Sequence, residues 1–160
     1  MKTTIPVTSG SYAVSADPST ALVGASIGAG IAVAVFDPET GAGGLFITHL
    51  LQTRKETSAS TAPYFGLDTG LPAFMKAFIA VGGRRDSLRV HLVGAGEFLD
   101  TPPFFRMGED LQKTARRILE KNRVPVAGEK VGGPENRFLT LDLENGSIRV
   151  GSPGQREVTM

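Results

Sequence analysis

Few residues in this chain carry reactive chemistry. There is no cysteine, and the only imidazoles are His49 and His91. Without a thiol there is no disulfide, thiolate zinc site, iron–sulfur cluster or cysteine nucleophile. The two histidines lie far apart, with no H-x-x-H or paired-carboxylate spacing, so the sequence points to no metal. A serine nucleophile needs a sharp elbow, a histidine and a carboxylate. Ser26 with His49 is the one pair to consider, and no G-x-S-x-G surrounds that serine.

The stretch "IGAGIAVAVFDP", Ile27 to Pro38, holds two glycines around one alanine ahead of an apolar run. Glycine at such a corner lets the backbone approach a neighbour closely. A dinucleotide loop would need a strand before it, a third glycine and a helix after it. Here a β-branched run follows, and the third position is Val33. No lysine follows a glycine cluster in the manner of a phosphate-binding loop. No cofactor is expected.

The elements that must position these residues read as follows. Ile31 to Phe36 is continuous and β-branched, a buried strand. Asp37-Pro38-Glu39-Thr40-Gly41 is a turn, in which Asp bonds its own backbone, Pro fixes φ and Gly accepts positive φ. Gly44 to Leu51 returns as the partner strand and carries His49. Upstream, Tyr12, Val14 and Ala16 alternate as a first strand, and Ala21 to Ala25 forms a short second one. Gln52 to Ala62 is polar and predicts a mobile loop. A helix follows from Asp68, with Leu71, Phe74, Met75, Phe78 and Ile79 in one stripe. Asp68 or Thr69 is its expected cap, and Gly82-Gly83 its stop.

Leu88, Val90 and Leu92 alternate with Arg89 and His91, a strand with one wet face that makes His91 a surface residue. "GAGEF", Gly94 to Phe98, turns out of it. A second helix spans about 108 to 122, with Leu111, Ala115, Ile118 and Leu119 inward. Val124 to Ala127 reads as a strand, and Gly132-Gly133-Pro134 breaks the chain. Phe138, Thr140 and Asp142 alternate with Leu139, Leu141 and Leu143. Asn145-Gly146 marks a hairpin, and Ile148 to Val150 returns. This order is α/β in the α+β sense, without doubly wound alternation. It predicts two packed sheets, or one strongly bent sheet, with two helices outside. One domain is expected over 1–160, with a core of about 12–150 and a frayed tail over 151–160.

Charge excludes one class of partner. The chain has 17 basic and 16 acidic residues, net +1, and its basic pairs Arg84–Arg85 and Arg116–Arg117 are short. A nucleic-acid footprint needs clustered Lys and Arg, so none is expected. "MKTTIPVTSG" has no apolar signal region. The longest apolar run falls far short of the ~20 residues of a membrane span. The reading is a soluble, cytoplasmic protein with no membrane insertion.

Taken in order, the motifs resemble the CheD family, the chemoreceptor glutamine deamidases of bacterial and archaeal chemotaxis. "YAV" (Tyr12 to Val14) is similar to the family's opening strand. "IGAGIAVAVFDPETGAGGL" resembles its L-G-S-C-V-A-V-x-x-x-D-P…G-G-M/L region. "DTGLPAFMKAFIAVGGRRDSLRVHLVGAGEF" resembles its helix, its G-A-x-x-x-x-L strand and its G-G-A-x-M-F turn. "MGEDLQKTARRILEKNRVPVAGEKVGGPENRFLTLDLENGSIRV" is similar to its I-G-x-R-N helix, its A-E-D-x-G-G segment and its closing hairpin. The likeness runs from about Tyr12 to Val150.

The resemblance implies a mixed β-sandwich flanked by helices. It implies thiol amidohydrolysis, in which a cysteine thiolate attacks a receptor glutamine amide, a histidine is the base and ammonia leaves. The partners it implies are chemoreceptors and a CheC-type phosphatase. Counting back from Asp37-Pro38, the family's cysteine falls on Gly30; counting forward from Gly43-Gly44, its histidine falls on Ile47. The nearest counterpart of the family's threonine before the elbow is Thr20. Neither Gly30 nor Ile47 can ionise, so the expectation is a member that binds without catalysing. The alternative is an active deamidase with a relocated Ser26–His49 site. On a strand His49 would share a face with Ile47, displaced by about 6.6 Å. That is large beside the ~3 Å reach of base catalysis. The plainer readings are a loop hydroxyl bonded to backbone for Ser26 and a partly buried strand residue for His49.

Overall fold

The structure is a computed structural model that describes residues 2–54, 63–97 and 107–160. Along the chain run β1 (Thr3–Pro6), β2 (Ser11–Ser15), β3 (Thr20–Gly24), β4 (Ile31–Phe36), β5 (Gly43–Thr48), α1 (Leu67–Ala80), β6 (Arg89–Gly94), α2 (Met107–Lys121), β7 (Val126–Val131), β8 (Phe138–Asp142), β9 (Ile148–Gly151) and β10 (Val158–Thr159). One sheet has the order β1-β3-β8-β9-β10, the other β2-β5-β4-β6-β7. Each is mixed: β1 runs parallel to β3 and β6 parallel to β7, and the remaining pairs are antiparallel.

The alternation of strand side chains divides the interior into two cores. From β4, Ile31, Val33 and Val35 enter one core with Phe46 of β5, Leu71, Phe74 and Phe78 of α1, and Leu111, Ala115 and Leu119 of α2. Ala32 and Ala34 face the other way, into a core with Leu45, Ile47, Leu22, Leu139, Leu141, Ile148 and Val150. Thus β4 is covered on both faces, by helices on one side and by the other sheet on the other. That is why its run is uninterruptedly apolar. The small alanines stand on the sheet-to-sheet side and the larger branched residues under the helices. The architecture is an α+β sandwich of two mixed sheets, with both helices on the same outer face.

Asp37 closes the β4–β5 turn. Its carboxylate is fully buried and accepts from Glu39 N (2.9 Å), Arg84 N (2.8 Å) and Ser87 Oγ (2.8 Å). Burial pushes its pKa up, but the Ser87 hydroxyl and the Glu39 and Arg84 amides more than offset this, and the net shift is downward.

Several elements differ from the sequence expectation. β1 has no counterpart in the sequence pattern, because "TTIP" is an exposed edge strand without apolar alternation. β5 ends at Thr48, not Leu51, so His49 lies beyond the strand. α1 begins at Leu67 with Gly66 as its cap, and no side chain caps it. The first-turn amides of Leu67 and Asp68 donate instead to the carbonyls of Leu50 and Leu51, at 3.0 Å each. Ile79 is 48% exposed and leaves the apolar stripe. β6 is wet only at its start, because it is an interior strand: Val93 is buried and His91 half-buried. Burial and then Arg89 lower the His91 pKa. The strand expected from Val124 begins at Val126, while Val124 packs under α2 and its amide closes that helix on Leu119 O (2.8 Å). The tail returns as β10, with Val158 opposite Val150. Residues 55–62 of the expected loop, and Phe98 of "GAGEF", lie outside the described residues. No helix among the described residues is long and apolar enough to cross a membrane.

Candidate functional site

The corner between β3 and β4 is tied on every side. Ile27 N donates to Arg137 O (2.9 Å), and Gly30 N closes a turn on Ile27 O (2.8 Å). Gly28, at φ +48°, donates its N–H to Asn136 Oδ1 at 2.9 Å. Opposite, Ala95 N and Gly96 N donate to the carbonyls of Gly30 (2.6 Å) and Gly28 (3.0 Å). The bend is therefore set by segments distant in sequence, and the positive φ at Gly28 is one that glycine adopts without the strain a side chain would bring.

Arg137 sits beneath this network with 5% exposure. Its guanidinium donates to Gly132 O (2.6 Å) and Gly94 O (3.2 Å) and faces the Glu135 carboxylate at 3.3 Å. These contacts join the loop before β8 to the end of β6.

Gly30 is buried and offers no side chain. A β-carbon placed on it would stand 3.0 Å from Thr48 O and 3.2 Å from Ile27 O, both backbone atoms. The register pairs Ile31 with Thr48 and Ala32 with Ile47, so Gly30 and Ile47 sit diagonally across the β4–β5 ladder. Ile47 is 3% exposed and points into the core between the sheets. Its Cδ1 lies 2.5 Å from where a β-carbon on Gly24 would be, with Ile27 Cδ1 3.8 Å from the same point. Aliphatic carbon from Ile27 and Ile47 thus fills the space behind the bend. Neither side chain bears a group that can accept or donate a proton.

The remaining candidates are dispersed. Thr20 is buried at the start of β3, four residues from Gly24, roughly 13 Å away along an extended strand. Its strand delivers Gly24, not the threonine, to Ile47. Ser26 is exposed and its hydroxyl lies 3.4 Å from Asn136 Oδ1, a side-chain partner in place of the expected backbone one. His49 is exposed rather than partly buried, since the strand has already ended. Its Nδ1 is 2.8 Å from Ser9 Oγ and 2.9 Å from Tyr64 OH, and its ring meets Tyr64 edge-on. Ser26 and His49 therefore hold different partners. No group of three or more His, Cys, Asp or Glu placed to hold a metal occurs among the described residues.

Sequence reasoning missed Gly24, Asn136, Arg137, Ser9 and Tyr64. Each contributes through a contact at least 15 residues away along the chain, and no local pattern announces it.

A model of the CheD chemotactic sensory transduction family matches residues 50–152. A protein of Syntrophus aciditrophicus (strain SB) called "Probable chemoreceptor glutamine deamidase CheD 1" is 34% identical over 144 residues, covering 89% of this chain and 90% of its own. "Probable chemoreceptor glutamine deamidase CheD 2" of Anaeromyxobacter dehalogenans (strain 2CP-C) is 33% identical over 147 residues, covering 91% and 92%. A haloarchaeal relative, "Probable chemoreceptor glutamine deamidase CheD" of Haloarcula marismortui, is 26% identical over 150 residues, covering 93% and 85%. A family model matching well over half of the chain, together with relatives 33–34% identical over about nine-tenths of it, shows that the chain belongs to the CheD family.

Proposed function

We propose that this chain is a CheD-family protein without deamidase chemistry, which serves chemotaxis by binding a chemoreceptor or a CheC-type phosphatase in the cytoplasm. The observation that carries the reading is at Ile47. Its side chain fills the space in front of Gly24, beside a Gly30 that has no side chain at all. A thiol amidohydrolase needs a nucleophile and a base within about 3 Å of each other. A hydrogen atom and a sec-butyl group supply neither. The two sheets and the braced corner form without either group, and docking to a protein partner needs surface rather than thiol.

The test uses the cytoplasmic fragment of a chemoreceptor from the same organism. Incubated with the purified full chain, the fragment is expected to be retained in a binding assay and to show no Gln-to-Glu conversion by mass spectrometry. Robust conversion would overturn the reading. Loss of that conversion in Ser26→Ala or His49→Ala would establish the relocated site in its place.

A further inference from the structure

The outer side of the helix pair carries apolar surface and positive charge together. A groove of about 260 Å³ runs between α1 and α2, floored by Leu71, Met75, Ile79 and Ile118 and edged by Lys76 and Arg85. Among the described residues no acidic one lines it. At the Arg85 end it opens into a polar depression that adds Lys121 and Arg123, with Asp86 as its one acid among the described residues. Arg85 is held at the junction, donating to the backbone oxygen of Asn122.

Two features say what this face is shaped for. The first is length and size. Pro72 to Ile79 covers seven helical steps, about 10.5 Å, which is the span of i, i+3, i+4 and i+7 anchors on an incoming helix. The groove is smaller than the ~300–1,000 Å³ that encloses a small ligand, but it admits a row of anchoring side chains. Ile79, 48% exposed, already presents the apolar end of such a row.

The second feature is charge. Lys76, Arg85, Lys121 and Arg123 are exposed, and none has a carboxylate within ion-pair distance among the described residues. The chain as a whole is only +1, so this is a local positive field beside an apolar slot. Such a field steers and selects acidic partners.

We infer that this face docks an amphipathic helix of a partner protein, its apolar stripe in the α1–α2 groove and its acidic flank over Lys76, Arg85, Lys121 and Arg123. The surface lies on the outer side of the helices, away from the sheet-to-sheet core that holds Ile47. The inference therefore stands apart from whether the Gly30 corner reacts.

The experiment titrates two synthetic helices of about five turns into the isotope-labelled full chain. Both carry Leu at i, i+3, i+4 and i+7; one has Glu on its flanks and the other Lys. The Glu peptide is expected to shift amide resonances over residues 70–85 and 116–124, and the Lys peptide to bind at least about tenfold more weakly. Lys76→Glu/Arg85→Glu and, separately, Ile79→Ser should each weaken the Glu peptide by about tenfold. All three positions are exposed, and retained amide dispersion confirms the fold. Equal binding of the two peptides, no binding of either, or shifts confined to another face would overturn the inference. So would a concentration-dependent dimer in sedimentation that Ile79→Ser abolishes, because the occupant would then be a second copy of this chain.

Discussion

Ile47 and Gly24 face one another across the interior, the isoleucine Cδ1 resting 2.5 Å from where a glycine β-carbon would stand. The two belong to different sheets, β5 in one and β3 in the other. The contact is possible only because position 24 lacks a side chain. Three neighbouring positions, 24, 30 and 47, therefore hold between them one large aliphatic group and no polar side-chain atom. In this way the space behind the bend becomes part of the hydrophobic core.

That relationship predicts strong coupling. Ile47→Ala should destabilise by about 2–5 kcal/mol, as a buried large-to-small change does. Gly24→Ala should cost about 1–3 kcal/mol by overpacking against Ile47. In the Ile47→Ala background the same alanine should cost much less, because the cavity receives it. A urea double-mutant cycle with an interaction energy below about 0.5 kcal/mol would mean the two do not compete for space.

Restoring the side chains tests the assigned positions. Gly30→Cys alone should destabilise by about 1–3 kcal/mol, since its β-carbon presses on two carbonyl oxygens that are backbone and cannot swing away. Gly30→Cys/Ile47→His should give a thiol that alkylates at lower pH than a free thiol, an imidazole beside a thiol favouring the thiolate. A folded double variant whose thiol titrates like a model thiol, near 8.5, would count against the placement of the family's cysteine and histidine on these residues.

Asn136 braces the bend through a single oxygen that takes the Gly28 amide and neighbours the Ser26 hydroxyl. Asn136→Ala should cost about 1–2 kcal/mol. Its local signature is faster hydrogen exchange at Gly28 with little change in α1. Unchanged exchange there would show that the carbonyl and amide contacts of Ala95 and Gly96 hold the corner by themselves.

Asp37 gives the fold an acid-sensitive clasp. Its pKa is lowered in the native state, so the folded chain favours the carboxylate. The stabilisation is complete above the unfolded value, about 3.9, and is lost as pH falls through the lower folded value. Asp37→Asn should lower stability at neutral pH by about 1–3 kcal/mol and flatten the fall in stability below about pH 4. An acid limb with the wild-type slope would assign that limb to other carboxylates, such as Asp142, whose pKa Lys2 lowers.

Much of the local structure was readable from residue order. The six residues from Ile31 to Phe36 are apolar without a break, and they form a strand covered on both faces. The Asp37 to Gly41 turn, the Asn145-Gly146 hairpin and the Leu111, Ala115, Leu119 face of α2 follow from equally local rules. Where prediction failed, the deciding interaction was distant. β1 is carried by its parallel pairing to β3, α1 is started by the carbonyls of Leu50 and Leu51 beyond the end of β5, and the tail is held by β9.

The same division holds for the site. The sequence by itself determined that no thiol exists and that residues 30 and 47 cannot ionise, because side-chain chemistry is a property of residue type. It also settled that Leu139 and Leu141 share one face of β8, because the period of a strand is local. Only the tertiary structure decided that Gly24 meets Ile47, that Asn136 reaches Gly28 from 108 residues away, and that His49 turns to Ser9 and Tyr64 instead of Ser26. Those juxtapositions depend on the order in which strands join two sheets, and no local pattern encodes that order.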